Sequence, residues 1–406
     1  MRDIAITGMG VVSAIGVSPE HFWTNLVNGT LGMQTIPGQG TGGPHWWSPV
    51  SDAFDLGAFF DDPKLARRTE PFAQYALAAA AQAVGAAGTA LPPERTAVVL
   101  GTSMGSLPGL TKAQARFDRE GADAVSARLM AMVIPNMASA HIAMHLGLHG
   151  PQLTVTTACA SSLDAIGLAA MLLEGGGADV AIAGGTENFL DLLVFESLRH
   201  ARAVSPETAR ELASRPFDRA RSGFVMGEGA GVVVLERKEA AVRRGARIWG
   251  ILRGYASLAD AHHVTAPEPS GRYEQAAIEG ALRDAQLPPD AIDAVIAHGT
   301  STPVGDAAEI LAINQAYGAR PLPVTSIKGH IGHTMGASGV MSLIAGLYAM
   351  RDGVLPQTLG TSDPDPQAAF SLVVGEPRHV RLQAIQVNAF GFGGQDASIV
   401  VAADDR

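Results

Sequence analysis

The chain has 406 residues, 47% hydrophobic and 17% charged, with 47 glycines, one cysteine and a formal charge of −10. That size and apolar content support one large core or two fused halves, and the negative balance argues against nucleic acid as the main partner. One cysteine excludes a disulfide framework and fits a reducing cytoplasm, while short, broken apolar runs predict neither a membrane span nor an apolar leader.

In chain order, "DIAITG" predicts a strand over 3–8 and "PFAQYALAAAAQAV" a helix over 71–84. Strands follow over 96–101 and 152–157, then a helix over 161–174 and strands over 179–185 and 231–236. A second series begins with a strand over 249–255, a helix over 273–285, a strand over 292–299 and a helix over 306–317. It closes with a strand over 322–327, a helix over 336–350 and strands over 384–390 and 397–403. Such alternation of β-branched and Ala/Leu-rich runs is that of an α/β protein with buried sheets. Each series contains strand, tight turn, apolar helix and a following strand, so we read a duplication with halves 1–245 and 246–406.

The lone Cys159 lies in "TVTTACASSLDAIG", at a strand-to-helix turn. A helix start favours the thiolate and lowers its pKa, and its free N–H groups can receive an oxyanion. Ala158, Ala160 and Ser161 leave room for a substrate. The competing reading is a small buried hydrophobe, the usual fate of an unpaired cysteine. Other strand ends carry chemistry too. "AHGTSTPVGDAAE" holds His298, Asp306 and Glu309; "SIKGHIGHTMGASG" holds Lys328, His330 and His333; and "NAFGFGGQDAS" is a glycine-rich loop. Ligands of open α/β sheets gather at such strand ends. No metal site is expected, because Lys328 stands beside the histidine pair and no further cysteine or carboxylate has ligand spacing. Neither a phosphate loop nor a dinucleotide fingerprint is present.

The ordered motifs "IAITGMGVVSAIG", "TACASS", "AGGTEN", "RPFDRARSGFVMGEGAGVVVLE", "AHGTSTPVGD", "KGHIGHTMGASG" and "NAFGFGG" run nearly end to end. On them the chain resembles the elongating β-ketoacyl-acyl carrier protein synthases, condensing enzymes with the thiolase fold. The resemblance implies two duplicated βαβαβαββ halves in a five-layer αβαβα sandwich, with the nucleophilic cysteine in the first half and two catalytic histidines in the second. It implies decarboxylative Claisen condensation of a Cys-bound acyl chain with malonyl-acyl carrier protein, giving 3-oxoacyl-acyl carrier protein and CO2. Cys159 would be the nucleophile, and His298 and His333 would drive malonyl decarboxylation and hold the enolate. Lys328 and Glu309 would be an ion pair orienting the histidines, with Asp306 a further acid of that loop. Thr300 and Thr302 would bond the pantetheine arm. Phe392 would be the gate, with Phe390 in the same loop, and the N–H groups of Cys159 and Phe392 would form the oxyanion hole.

The same resemblance implies no cofactor bound by the enzyme, substrates carried on the phosphopantetheine of acyl carrier protein, and a cytoplasmic location. It implies a homodimer, or a heterodimer with a chain-length-factor homologue. Lys64, Arg67, Arg68, Arg128 and Arg202 resemble the positions that hold the carrier. "GFGGQD" departs from the family's usual "GFGGTN", so Gln395 and Asp396 alter the gate; Asp396 is expected to bond across to "DAHHV", with Asp260 and His263. "TACASSLDA" leans toward the catalytic ketosynthase subunit of a type II polyketide synthase over housekeeping fatty-acid members. Thiolases need a second cysteine and initiating synthases an asparagine in the third place, which disfavours both. A non-catalytic chain-length-factor-like scaffold is disfavoured because Cys159 is present.

Overall fold

The computed structural model describes residues 3–37 and 44–404. Its first half reads β1 (Ile4–Val12), α1 (Pro71–Ala87), β2 (Thr96–Gly101), α2 (Met137–Leu146), β3 (Gln152–Val155), α3 (Ser161–Glu174), β4 (Val180–Glu187) and β5 (Gly229–Arg237). The second reads β6 (Gly250–Ala259), α4 (Arg272–Ala285), β7 (Ala294–Ile296), α5 (Pro303–Tyr317), β8 (Pro323–Thr325), α6 (Ser338–Asp352), β9 (Ala384–Gly391) and β10 (Gln395–Ala402).

Strand order is β3-β2-β4-β5-β1 in one half and β8-β7-β9-β10-β6 in the other, the same plan twice, with the short strand Ser371–Leu372 added at the edge beside β8. In each, the β2·β3 and β2·β4 pairs, or β7·β8 and β7·β9, are parallel, and the remaining pairs are antiparallel. The halves join where β1 pairs antiparallel with β6, Ile4 to Leu252 and Ile6 to Gly250.

The central helices α3 and α6 are apolar nearly all round, so they cannot lie on a surface. Both are buried in the main core between the sheets. They approach closely: a Cβ on Gly339 would lie 2.5 Å from Leu163 Cγ, and the Val340 N–H donates to Ser162 Oγ at 3.0 Å. Helices α1 and α2 cover one outer face, and α4 and α5 the other. The layers are therefore αβαβα, and the turns that start α3 and α6 meet at the centre.

Predicted and observed elements differ mainly at the site. The strand expected over 292–299 stops at Ile296, because residues 297–302 turn to present His298. Helices Leu107–Glu120, Met137–Leu146 and Leu192–His200 were not expected. The first opens "LPGL", which reads as turn chemistry, and exposes Leu110 and Phe117, which blurs its periodicity. No described helix is long and apolar enough to cross a membrane.

Candidate active site

Between β3 and α3 the backbone makes one tight turn, Ala158–Ala160, with Ala158 at a φ of 49°. This left-handed step turns Cys159 inward, where it is 3% exposed. The loop after β9 closes on it: a Cβ on Gly391 would lie 3.0 Å from Cys159 N, so a larger residue would have to push the cysteine turn back. A cavity of about 490 Å³ results, lined by Cys159, His298, His333, Thr300, Thr302 and Phe392 among others.

His333 Nε2 lies 3.1 Å from Cys159 Sγ. Its Nδ1 lies 2.9 Å from Ser338 Oγ and accepts the Met335 N–H at 3.3 Å. A backbone N–H can only donate, so Nδ1 is the acceptor and Nε2 carries the proton. His333 therefore donates toward the sulfur and cannot take its proton. The His298 ring stands 5.3 Å from His333, centroid to centroid. Lys328 Nζ lies 3.4 Å from His298 Nδ1, which likewise leaves the His298 proton on Nε2. Burial first, then the Lys328 charge, holds both imidazoles well below their ordinary pKa, so both are neutral donors.

The ligand atoms of Cys159, His298 and His333 lie within 4.8 Å of one another, close enough to chelate an ion. The Lys328 ammonium beside them would repel it.

Supporting contacts differ from expectation at Glu309. Instead of a contact ion pair with Lys328, its oxygens accept the N–H groups of His298 at 2.8 Å and Gly299 at 2.7 Å. Lys328 donates to the His298 carbonyl. The turn supplies two N–H groups that no side chain had to reach for, so they outcompete the lysine. Burial pushes Glu309 up to about 7 and Lys328 down to about 8. Asp306 accepts from the N–H groups of Phe217, Thr300 and Ser301. Thr302 caps α5, and Thr300 Oγ1 lies 2.9 Å from Thr302 Oγ1 on the cavity wall. His330 lies elsewhere, fully buried between the carbonyls of Thr30 and Gln357.

Glu187, in "AGGTEN", is a site residue that the sequence motif alone does not reveal. It accepts from the N–H groups of Ser103 and Gly336, both at 2.9 Å, and so ties the end of β2 to the turn before α6. An acid at the end of a fully buried strand was the available signal.

The expected low thiol pKa is overturned. Burial pushes the Cys159 thiol up to about 12, against the pull of Lys328 and of the Phe392 and Cys159 N–H groups. A helix start lowers a thiol pKa only when the sulfur keeps solvent or strong charge nearby. Alkylation by iodoacetamide should thus be slow at neutral pH and keep rising above pH 8. At neutral pH, where Lys328 is charged, Lys328→Met should slow it about tenfold, one pKa unit of lost attraction. A plateau below pH 8, or no effect of the lysine, would contradict this.

The loop bearing Phe392 is tied to residues 260–265: the Gly393 N–H donates to Val264 O at 2.9 Å, and the Asp260 N–H to Gly394 O at 3.0 Å. The expected bond from Asp396 across to "DAHHV" is absent. Asp396 is 2% exposed, its Oδ2 has no partner, and burial with the Asp260 charge pushes it up to about 7. The Asp260 carboxylate is already taken by the N–H groups of His262 and Glu268, and the exposed His263 accepts from Thr265. Phe390 packs edge-on to His298, its ring centroid 6.0 Å away. Lys64, Arg67, Arg68, Arg128 and Arg202 are exposed, and of these Arg202 also lines the cavity.

Comparison with known proteins finds relatives along the length of the chain. The model of the beta-ketoacyl synthase N-terminal domain matches residues 1–241, and that of the C-terminal domain residues 249–362. The chain is 37% identical to 3-oxoacyl-(acyl-carrier-protein) synthase 2 of Synechocystis sp., covering 98% of this chain and 97% of that one. The ishigamide ketosynthase/chain length factor superposes with a TM-score of 0.92 at 30% identity, over 99% of each chain. A ketosynthase structure described as a type II PKS acyl-carrier protein in complex with its ketosynthase bound to the hexaketide gives 0.91 at 28%, over 100% of each. With both halves matched and the whole length covered, the chain belongs to the beta-ketoacyl synthase family.

Proposed function

We propose that the chain condenses an acyl chain held on Cys159 with malonyl-acyl carrier protein, releasing CO2 and 3-oxoacyl-acyl carrier protein. The observation that carries this is the cavity in which Cys159 Sγ lies 3.1 Å from His333 Nε2 with His298 beside it. Acyl loading is a thioester exchange. The Cys159 sulfur bonds the acyl carbon, the bond to the carrier's pantetheine sulfur breaks, and the thiol proton passes to that leaving thiolate. The thiol is held at about 12, so it gives up its proton only as the bond to the acyl carbon forms, with the Lys328 charge favouring the emerging thiolate. The N–H groups of Cys159 and Phe392, which face the sulfur, hold the tetrahedral oxyanion.

In the second half, the malonyl carboxylate leaves as CO2 and its electron pair forms an enolate. The Nε2–H groups of His298 and His333 stabilise the enolate oxygen without a charge to desolvate. The enolate carbon attacks the acyl carbonyl, and the Cys159 thiolate leaves and is reprotonated. Lys328 and Glu309 position His298, and Thr300 and Thr302 bond the pantetheine arm. The enzyme brings no cofactor of its own. The test is mass spectrometry of the carrier after incubation with acyl and malonyl donors: a 3-oxoacyl chain two carbons longer than the donor is expected, and unchanged carriers would overturn the reading.

Partners follow from exposed chemistry. Met130, Met144 and Leu153 are 63%, 61% and 42% exposed, and β3 is an edge strand, so this face suits a second copy or a chain-length-factor homologue. A carrier is acidic, so it needs a basic face on this acidic chain. Arg67→Glu with Arg68→Glu should raise KM for carrier-bound substrate about five- to tenfold at low salt, and less at high salt. The same variant should keep its rate with a small pantetheine thioester. Equal loss with both substrates would refute docking at these residues.

A further inference from the structure

Behind the loop that carries Phe392, the cavity wall holds carboxyls that the condensation does not use. Glu274, in the first turn of α4, is 3% exposed, and its Oε2 is buried without a hydrogen-bond partner. Asp396, at the start of β10, is in the same state at its Oδ2. Both line the cavity that contains Cys159, and so does Asp260 at the end of β6. An acid in the first turn of a helix ordinarily faces water, where the helix dipole favours its charge. Glu274 instead points inward, where a charge is disfavoured and a neutral carboxyl is not.

The surroundings reinforce this. The charges that act most on Glu274 are all negative: Glu309 and Asp306 from α5, Asp396 from β10 and Asp260 just after β6. The nearby cations are engaged elsewhere. Lys328 donates to the His298 carbonyl, Arg221 bridges to Asp365 at 2.7 Å, and Arg272 stacks on Tyr273 at 4.4 Å. The two histidines of the adjoining loop, His262 and His263, are exposed. Asp396 directly follows the Gly391–Gln395 turn, whose two backbone bonds to residues 260–265 hold Phe392 against the cysteine.

We propose that Glu274 and Asp396 form a proton-dependent latch on the Phe392 loop, closed while both carboxyls are protonated and released when they ionise. The closed state buries neutral acids; ionisation sets two unsolvated charges against Asp260, and moving the loop outward rehydrates them. Glu274 is thus a positioning residue, acting on the cavity through Asp396 and the loop. Burial raises both acids, Asp396 to about 7, so the protonated latch holds below that pH and weakens as pH rises through it. The latch rests on the condensing reading only for its purpose, which is access to Cys159.

Hydrogen exchange of the full-length protein, without substrate, tests it. Exchange of peptides covering 389–396 and 260–268 is measured from pH 6 to 8.5 and corrected for the intrinsic pH dependence. Protection in the wild type should fall about tenfold or more over this range, since one pKa unit between closed and open loop is tenfold in the opening equilibrium. The double variant Glu274→Gln/Asp396→Asn, which mimics both protonated acids, should hold the low-pH protection throughout, and Asp396→Asn alone should flatten the part of the slope centred near pH 7. A β1 peptide reports any global loosening. A flat wild-type profile would overturn the latch, as would the double variant keeping the wild-type slope. The wild-type profile alone decides the matter if one variant fails to fold. Because no turnover is read, this result is independent of whether Cys159 is acylated.

Discussion

Cys159→Ala will lose condensation on the order of a thousandfold or more, the scale on which a covalent nucleophile is missed. No other thiol exists in the chain to replace it. The loss should be selective, because the substitution leaves the imidazoles of His298 and His333 in place. Malonyl decarboxylation, read as CO2 release or as acetyl carrier, should continue in this variant. The fold should tolerate the change, since the sulfur's contacts are hydrogen bonds from His333 and from the Phe392 and Cys159 N–H groups and a long one to Met335 at 3.8 Å. Condensation persisting at a tenth of wild type would exclude Cys159 as nucleophile.

His298→Ala and His333→Ala will each lower decarboxylation about 10²–10³-fold, the cost of one preorganised donor at a developing oxyanion. Their effects on acyl loading should differ, and the geometry says how. His333 touches the sulfur, so its removal also takes away a donor that steadies the emerging thiolate. His298 lines the cavity without a hydrogen bond to the sulfur, so loading should be nearly intact without it. Loading is read as acyl-enzyme mass over time and decarboxylation as CO2 release. Equal loss of both half-reactions in both variants would remove the division of labour.

Much of this architecture was legible because its central elements are apolar on every side. Residues 96–101 and 161–174 were delimited from sequence to the residue, each bounded by a turn signal and buried throughout or nearly so. The duplicated strand–turn–helix likewise brought Cys159 and His333 into corresponding places. What could not be read is what the tertiary fold does to single groups. The thiol pKa rises because a loop near residue 391 closes over Cys159, which local helix chemistry does not reveal. Glu309 was expected to pair with Lys328, yet the turn at 298–299 offers its oxygens two N–H groups. Nothing in the sequence marks Glu274 as buried, since an acid in the first turn of a helix ordinarily faces water; its inward orientation depends on packing against β10. Helix Leu107–Glu120 escaped detection because its apolar side chains stay exposed on the isolated chain.

The most direct test of the central claim follows one molecule of enzyme through both half-reactions. Intact-mass and peptide mass spectrometry are recorded after adding acyl-acyl carrier protein, and again after adding malonyl-acyl carrier protein. The account predicts one acyl adduct, on the peptide containing Cys159, that disappears on the second addition as CO2 and 3-oxoacyl carrier form in equal amounts. An adduct on any other residue, or one on Cys159 that malonyl carrier fails to discharge, would contradict it.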